Sequence, residues 1–124
     1  MKQTFCKEER LSEEKLIDQL FKEGKSFFQF PFKVVFLPME DAVPYHAKIL
    51  ISVPKRNFKK AVDRNHIKRL IREAYRKNKF ILDKGNKDQL YLIGFIYTTA
   101  RQLTYQEIEK KIILVLQQLK QEHE

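Results

Sequence analysis

The chain has a single cysteine, three glycines, three histidines and no tryptophan among its 124 residues. One cysteine, Cys6, permits no intramolecular disulfide and places the chain in a reducing compartment, the cytoplasm. Three glycines leave no material for a glycine-rich phosphate loop, and no serine-histidine-aspartate order is legible. His46, His66 and His123 are scattered without a ligand-spaced partner, so no metal site is expected in the protein alone. No run approaches the roughly 18 apolar residues of a membrane span, and the first ten residues carry no apolar stretch of the signal-peptide kind.

What is present is a core's worth of apolar residues and an uneven distribution of charge. Apolar residues make up 43% and aromatics 12% of the chain, enough for one core, so residues 1–124 are expected to form one domain, with 1–10 a flexible N-terminal segment. The net charge is +9. Lys/Arg and Asp/Glu balance over residues 1–54 and again over 80–124, whereas residues 55–79 hold eleven Lys/Arg against Asp63 and Glu73 and so carry the whole excess. Like charge concentrated in this way costs folding energy through self-repulsion and calls for a polyanionic partner.

Periodicity orders the elements. Ser12 is placed to cap a helix with Glu13 and Glu14 in its first turn, Leu16, Ile17, Leu20 and Phe21 on its apolar face and Gly24 at its stop. Phe30 to Leu37 and Tyr45 to Val53 read as strands and as antiparallel neighbours, with a turn at Pro38-Met39-Glu40-Asp41 and a short edge strand at Ser26 to Phe28. Asn57 to about Lys79 reads as a helix with Ile67, Leu70, Ile71 and Ala74 inward. Leu90 to Tyr97 is a third long strand, preceded by a loop at residues 83–87. Thr104 and Glu107 form a capping box for a last helix with Ile108, Ile112, Val115, Leu116 and Leu119 on one stripe. This order predicts an α+β sandwich, the basic helix being the crossover if the strands at 45–53 and 90–97 are parallel, with right-handedness the default.

At about 100° per residue, Arg64, Lys68, Arg72 and Arg76 follow one another down one face of the basic helix, with Asn65, Arg69 and Lys79 beside them. Lys59 and Lys60 fall in its expected first turns, where the dipole disfavours cations and a helix built for stability alone carries acids. Accepting these costs favours phosphate binding, by arginine forks and lysine point charges. His66 lies at the edge of the strip. On its residues alone, a basic helix of this kind fits a ribosomal or assembly protein on structured RNA or a DNA-binding module in a major groove. A self-sufficient metal nuclease lacks its carboxylate cluster.

The stretch AVDRNHIKRLIRE, residues 61–73, resembles the signature of the bacterial ribonuclease P protein component. Arg64, Asn65, Lys68, Arg69 and Arg72 match it position by position, with His66 where the family has a third-position arginine. Val53-Pro54-Lys55-Arg56 resembles the strand end and basic pair before that helix, Leu11 to Gly24 the opening helix, and Gln102-Leu103-Thr104-Tyr105 the start of the last one. Ile96-Tyr97-Thr98 departs from the family's more basic sequence at the end of the last strand.

The resemblance implies a protein subunit of an endoribonuclease with no catalytic residues of its own. Mg²⁺ would be held mainly by a catalytic RNA subunit that removes the 5′ leader of precursor tRNA, and none by the protein alone. The implied partners are that RNA and precursor tRNA with its leader, without a membrane or an obligate protein partner. The implied RNA-binding residues are Lys55, Arg56, Lys59, Lys60, Arg64, Asn65, His66, Lys68, Arg69, Arg72 and Arg76. The leader would lie in a cleft beside Ile17 and Phe21 of the first helix, facing a strand residue that is Phe36 or Val35 according to register. The resemblance also implies a mixed sheet with an unusual left-handed crossover at the basic helix, against the default.

Overall fold

In a computed structural model, residues 9–40, 47–82 and 89–122 are described. The elements run α1 (Glu14–Glu23), β1 (Lys25–Gln29), β2 (Phe32–Glu40), β3 (Ala47–Ser52), α2 (Ala61–Asn78), β4 (Gln89–Tyr97) and α3 (Tyr105–Glu122), with a short 3₁₀ turn at Lys79–Leu82. The four strands form one mixed sheet in the order β1-β2-β4-β3. β1 and β4 run antiparallel to β2, and β3 runs parallel to β4 with α2 in the crossover between them.

This order corrects the expected pairing of the strands at 30–37 and 45–53, because β4 lies between them. The composition of β4 explains its place. From Leu90 to Phe95 every residue is buried, and only a strand covered on both faces and paired on both sides accommodates such a run. β3 pairs parallel with β4, the condition under which the sequence makes the basic helix their crossover.

The sheet separates two cores. Phe32, Val34, Phe36, Ala47, Ile49, Ile93, Phe95 and Tyr97 face α2 and α3, and pack on Ile67, Ile71, Tyr75, Ile108, Ile112 and Leu116. Val35 and Leu92 alternate to the other face and meet Leu11 and Leu20, with Leu16, Ile17, Leu37, Leu50 and Ile96 around them.

Several boundaries differ from expectation. The N-cap of α1 is Glu13 rather than Ser12. Gly24 ends α1 with φ −71°, so its role is steric: a Cβ there would lie 2.3 Å from the Leu20 carbonyl oxygen and 2.9 Å from that of Phe36. Pro38 and Met39 belong to β2, not to a turn. β1 pairs only as far as Phe36, so Pro38 lies where β2 has become an edge on that side and tolerates a proline. α2 begins at Ala61 with Lys60 as N-cap; Asn57 instead closes a turn on the Pro54 carbonyl. Lys59 therefore precedes the helix. The capping box of α3 forms as read, Glu107 N–H donating to Thr104 Oγ1 and Thr104 N–H to Glu107 Oε1, both at 3.2 Å. Asp41, Tyr45, His46 and the loop at 83–87 lie outside the described residues.

Glu9 and Arg10, expected within a flexible segment, are anchored. Arg10 bridges Ile49 in parallel at the outer edge of β3, the Leu11 N–H donates to the Ile49 carbonyl at 2.9 Å, and Leu11 is buried.

Candidate nucleic-acid interface

α2 turns Ile67, Ile71, Ala74 and Tyr75 inward at helical spacing, which forces the interleaved cations outward. Lys55, Arg56, Lys59, Lys60, Asn65, His66 and Arg69 are exposed, and Arg64, Lys68, Arg72 and Arg76 half-buried. Asn65, His66, Arg69 and Arg72 line one open groove with Val62 and Asp63. Asn65, Arg69 and Arg72 of the predicted strip and His66 at its edge thus share one groove, while Lys79 is drawn away to Glu9, and the members are held differently.

Arg64 is partly committed to the fold. Its guanidinium donates to the carbonyls of Phe58 at 2.8 Å and Lys59 at 3.1 Å. It thereby fixes the segment that carries Lys59 and Lys60 against the start of α2. At the other end Arg76 pairs with Glu73, and Lys77 shares that carboxylate at 3.9 Å while lying 5.5 Å over the Tyr105 ring. The hydrogen bond from Arg76 holds the Glu73 carboxyl below its ordinary range. Positive charge is consequently least compensated over the N-terminal two-thirds of α2.

One cation was not anticipated. Arg10, with Leu11 and Ser12, lines a small pocket at the β3 edge together with Lys68 and Arg72. Burial first, and then the charge of Arg10, press the Arg72 guanidinium below its usual value, though it stays a cation at neutral pH. The strip therefore spans two segments distant in sequence. Local charge counting misses Arg10 because Glu8 and Glu9 offset it.

The expected cleft is corrected at one residue. Phe36 is only 4% exposed and faces α2 and α3, its ring edge-to-face with Phe27 at 5.7 Å, so it lies on the wrong side of the sheet to face α1. Strand alternation gives that place to Val35, the other register. Ile17 is half-buried and Phe21 is 50% exposed on the α1 side. Beyond β4, Thr98 donates to the Pro31 carbonyl from both its N–H and its hydroxyl at 2.8 Å, and Tyr97 Oη donates to the Arg101 carbonyl at 2.6 Å. The non-basic Ile96-Tyr97-Thr98 sequence thus serves to lock the segment leading into α3.

Among the described residues no three His, Cys, Asp or Glu side chains converge, and no helix is long and apolar enough to cross a membrane. An α+β sandwich whose crossover helix presents an array of cations defines a protein built to dock on a polyanion.

Comparison with known proteins gives the family. The family model described as ribonuclease P matches residues 5–120. The ribonuclease P protein component of Porphyromonas gingivalis is 40% identical over 107 residues, covering 84% of this chain and 77% of that one. That of Petrotoga mobilis is 30% identical over 124 residues, covering 94% and 96%. Among solved structures, the Staphylococcus aureus RNase P protein superposes with a TM-score of 0.66 at 25% identity, covering 90% of this chain and 94% of that one. The Thermotoga maritima RNase P protein shares the fold with a TM-score of 0.67, over 88% and 96%. The chain belongs to the bacterial ribonuclease P protein family.

Proposed function

We propose that this chain acts in the cytoplasm as the protein subunit of ribonuclease P, binding both the catalytic RNA and the 5′ leader of precursor tRNA. The observation that carries the reading is the cationic face of α2, extended by Arg10, on a fold matched to the family along nearly its whole length. Lys55, Arg56, Lys59, Lys60, Asn65, His66, Lys68, Arg69 and Arg72 supply phosphate contacts to folded RNA. Arg64 contributes both a contact and the shape of the loop before α2. The α1 side of the sheet, beside Ile17 and Phe21, receives single-stranded leader by apolar contact and stacking. Mg²⁺ supports the hydrolysis from sites held mainly by the RNA subunit, while the protein positions the substrate.

Reconstitution tests this reading. The protein with its cognate RNA subunit should cleave precursor tRNA at low Mg²⁺, where the RNA alone is slow. Rigorously RNA-free protein should not cleave. Cleavage by the protein alone, abolished by changing one of its carboxylates, would overturn the division of labour.

A further inference from the structure

On the α1 side the sheet resolves into rows running across the strands. Register places Lys48, Leu92 and Leu37 in one row, Leu50, Gly94, Val35 and Ser26 in the next, and Ser52, Ile96, Lys33 and Phe28 in a third. α1 covers the middle of the first two. Glu13 reaches Lys48 at 2.7 Å, Leu20 lies 3.6 Å from where a Cβ on Gly94 would stand, and Leu92 and Val35 are buried. The third row stays open: Lys33 is exposed, and Ser52 and Ile96 are half-buried.

The β1 end of this row is aromatic. Phe27 packs into the opposite core, so alternation turns Phe28 to the α1 side, where it is 60% exposed. Phe30, in the turn between β1 and β2, is 44% exposed, and its ring centre lies 6.5 Å from that of Phe28. Stability does not ask for two bare phenyl rings on an edge strand, where natural sheets carry polar or charged residues.

Charge identifies the occupant. Lys33 stands between Ile96 and Phe28, and the row contains no carboxylate. Ser52, at its β3 end, is followed in the chain by Val53, Pro54 and the exposed Lys55 and Arg56. From β3 to β1 the row spans three inter-strand spacings, about 14 Å. A track of that length with a lysine in the middle, two exposed neighbouring aromatics at one end, and Lys55 and Arg56 a few residues along the chain from the other, has the composition of a single-stranded nucleic-acid path.

We propose that the open third row is an additional single-stranded RNA subsite, with Phe28 and Phe30 as a stacking platform for leader nucleotides farther from the cleavage point than those beside Ile17 and Phe21. It rests on the reading of this chain as a leader-binding subunit.

The test measures affinity of the reconstituted holoenzyme for precursor tRNAs carrying a graded series of leader lengths. With the unaltered protein, affinity should rise with leader length to a plateau. The double variant Phe28→Ala, Phe30→Ala should plateau at a shorter leader and lose at least about fivefold on the longest. Phe28→Tyr should restore most of that loss in the presence of Phe30, and Lys33→Glu should reproduce it. If the unaltered holoenzyme shows no dependence on leader length, the leader reading fails and the platform with it. If the dependence is present and the double variant follows the same curve, the platform alone is overturned. Sedimentation velocity of the free protein supplies a further check, because self-association lost in the double variant would make these rings a contact between copies of the chain.

Discussion

Lys79 Nζ lies 2.9 Å from Oε1 of Glu9, a carboxylate only 1% exposed, and so joins the residues before α1 to the end of α2. The adjoining Tyr75 phenol is pushed well above its ordinary value by burial and by the Glu9 charge. Between these partners the chain lays Arg10 against Ile49 and beside Arg72. With the Ile49 bridge, the buried pair helps to hold Arg10 beside the cationic face of α2.

Glu9→Ala leaves the Lys79 ammonium, itself largely buried, without this carboxylate. Breaking one side of a buried pair costs roughly 3 kcal/mol, and the unfolding temperature should fall accordingly. RNA affinity measured well below that temperature should also decrease, because Arg10 loses its anchor. Arg10→Ala should reproduce the affinity loss with little change in stability. If Glu9→Ala has the stability of the unaltered protein, the strap is not anchored as described.

Arg64 and Lys68 stand one turn apart on α2 and should behave differently. Arg64→Ala removes two hydrogen bonds to backbone carbonyls, which should lower stability by about 1 kcal/mol, and it should also weaken binding to the RNA subunit. Lys68→Ala should leave the unfolding temperature nearly unchanged and lower the slope of log affinity against log salt by about one. Equal stability of the two variants would mean that the Arg64 bonds contribute nothing to the loop before α2.

Glu73 is the carboxylate that draws charge out of the strip, through Arg76 and Lys77. Glu73→Gln should raise RNA affinity at low salt several-fold, with the gain fading as salt screens the freed cations. Removing a partly exposed pair of this kind should change stability by less than about 1 kcal/mol. An affinity that falls or stays constant would place the C-terminal third of α2 outside the RNA contact.

The parts of this molecule legible in the sequence are those governed by local periodicity. The stripe Ile108, Ile112, Val115, Leu116 and Leu119 and the capping box of Thr104 and Glu107 specify α3 within a few residues, because both signals arise inside one helix. The cationic face of α2 follows in the same way from Ile67 and Ile71 being inward. Strand order is a property of the whole sheet: Phe36 and Val35 both look like core residues, and only pairing with β4 shows which one faces α1. Arg10 was hidden for a similar reason, since its place depends on an ion pair between residues seventy positions apart.

Phe21 and Phe36 make the sharpest contrast in the candidate cleft, since the sequence offers both as leader contacts and the fold separates them by the thickness of the sheet. Phe36→Ala should destabilise the protein by roughly 3–4 kcal/mol, the cost of truncating a buried aromatic, and should weaken every ligand alike once the fold is compromised. Phe21 is half exposed on α1, so Phe21→Leu should change stability by less than about 1 kcal/mol. In the reconstituted enzyme it should reduce affinity for leader-bearing precursor tRNA, by part of the ~1–3 kcal/mol that alanine substitution of a stacking aromatic costs. Mature tRNA has no leader, and its affinity should barely move. The ratio of the two affinities is the quantity to measure, because a packing defect lowers both and leaves the ratio intact. A parallel loss for both RNAs, together with a lower unfolding temperature, would make Phe21 a core residue and move the leader path off α1.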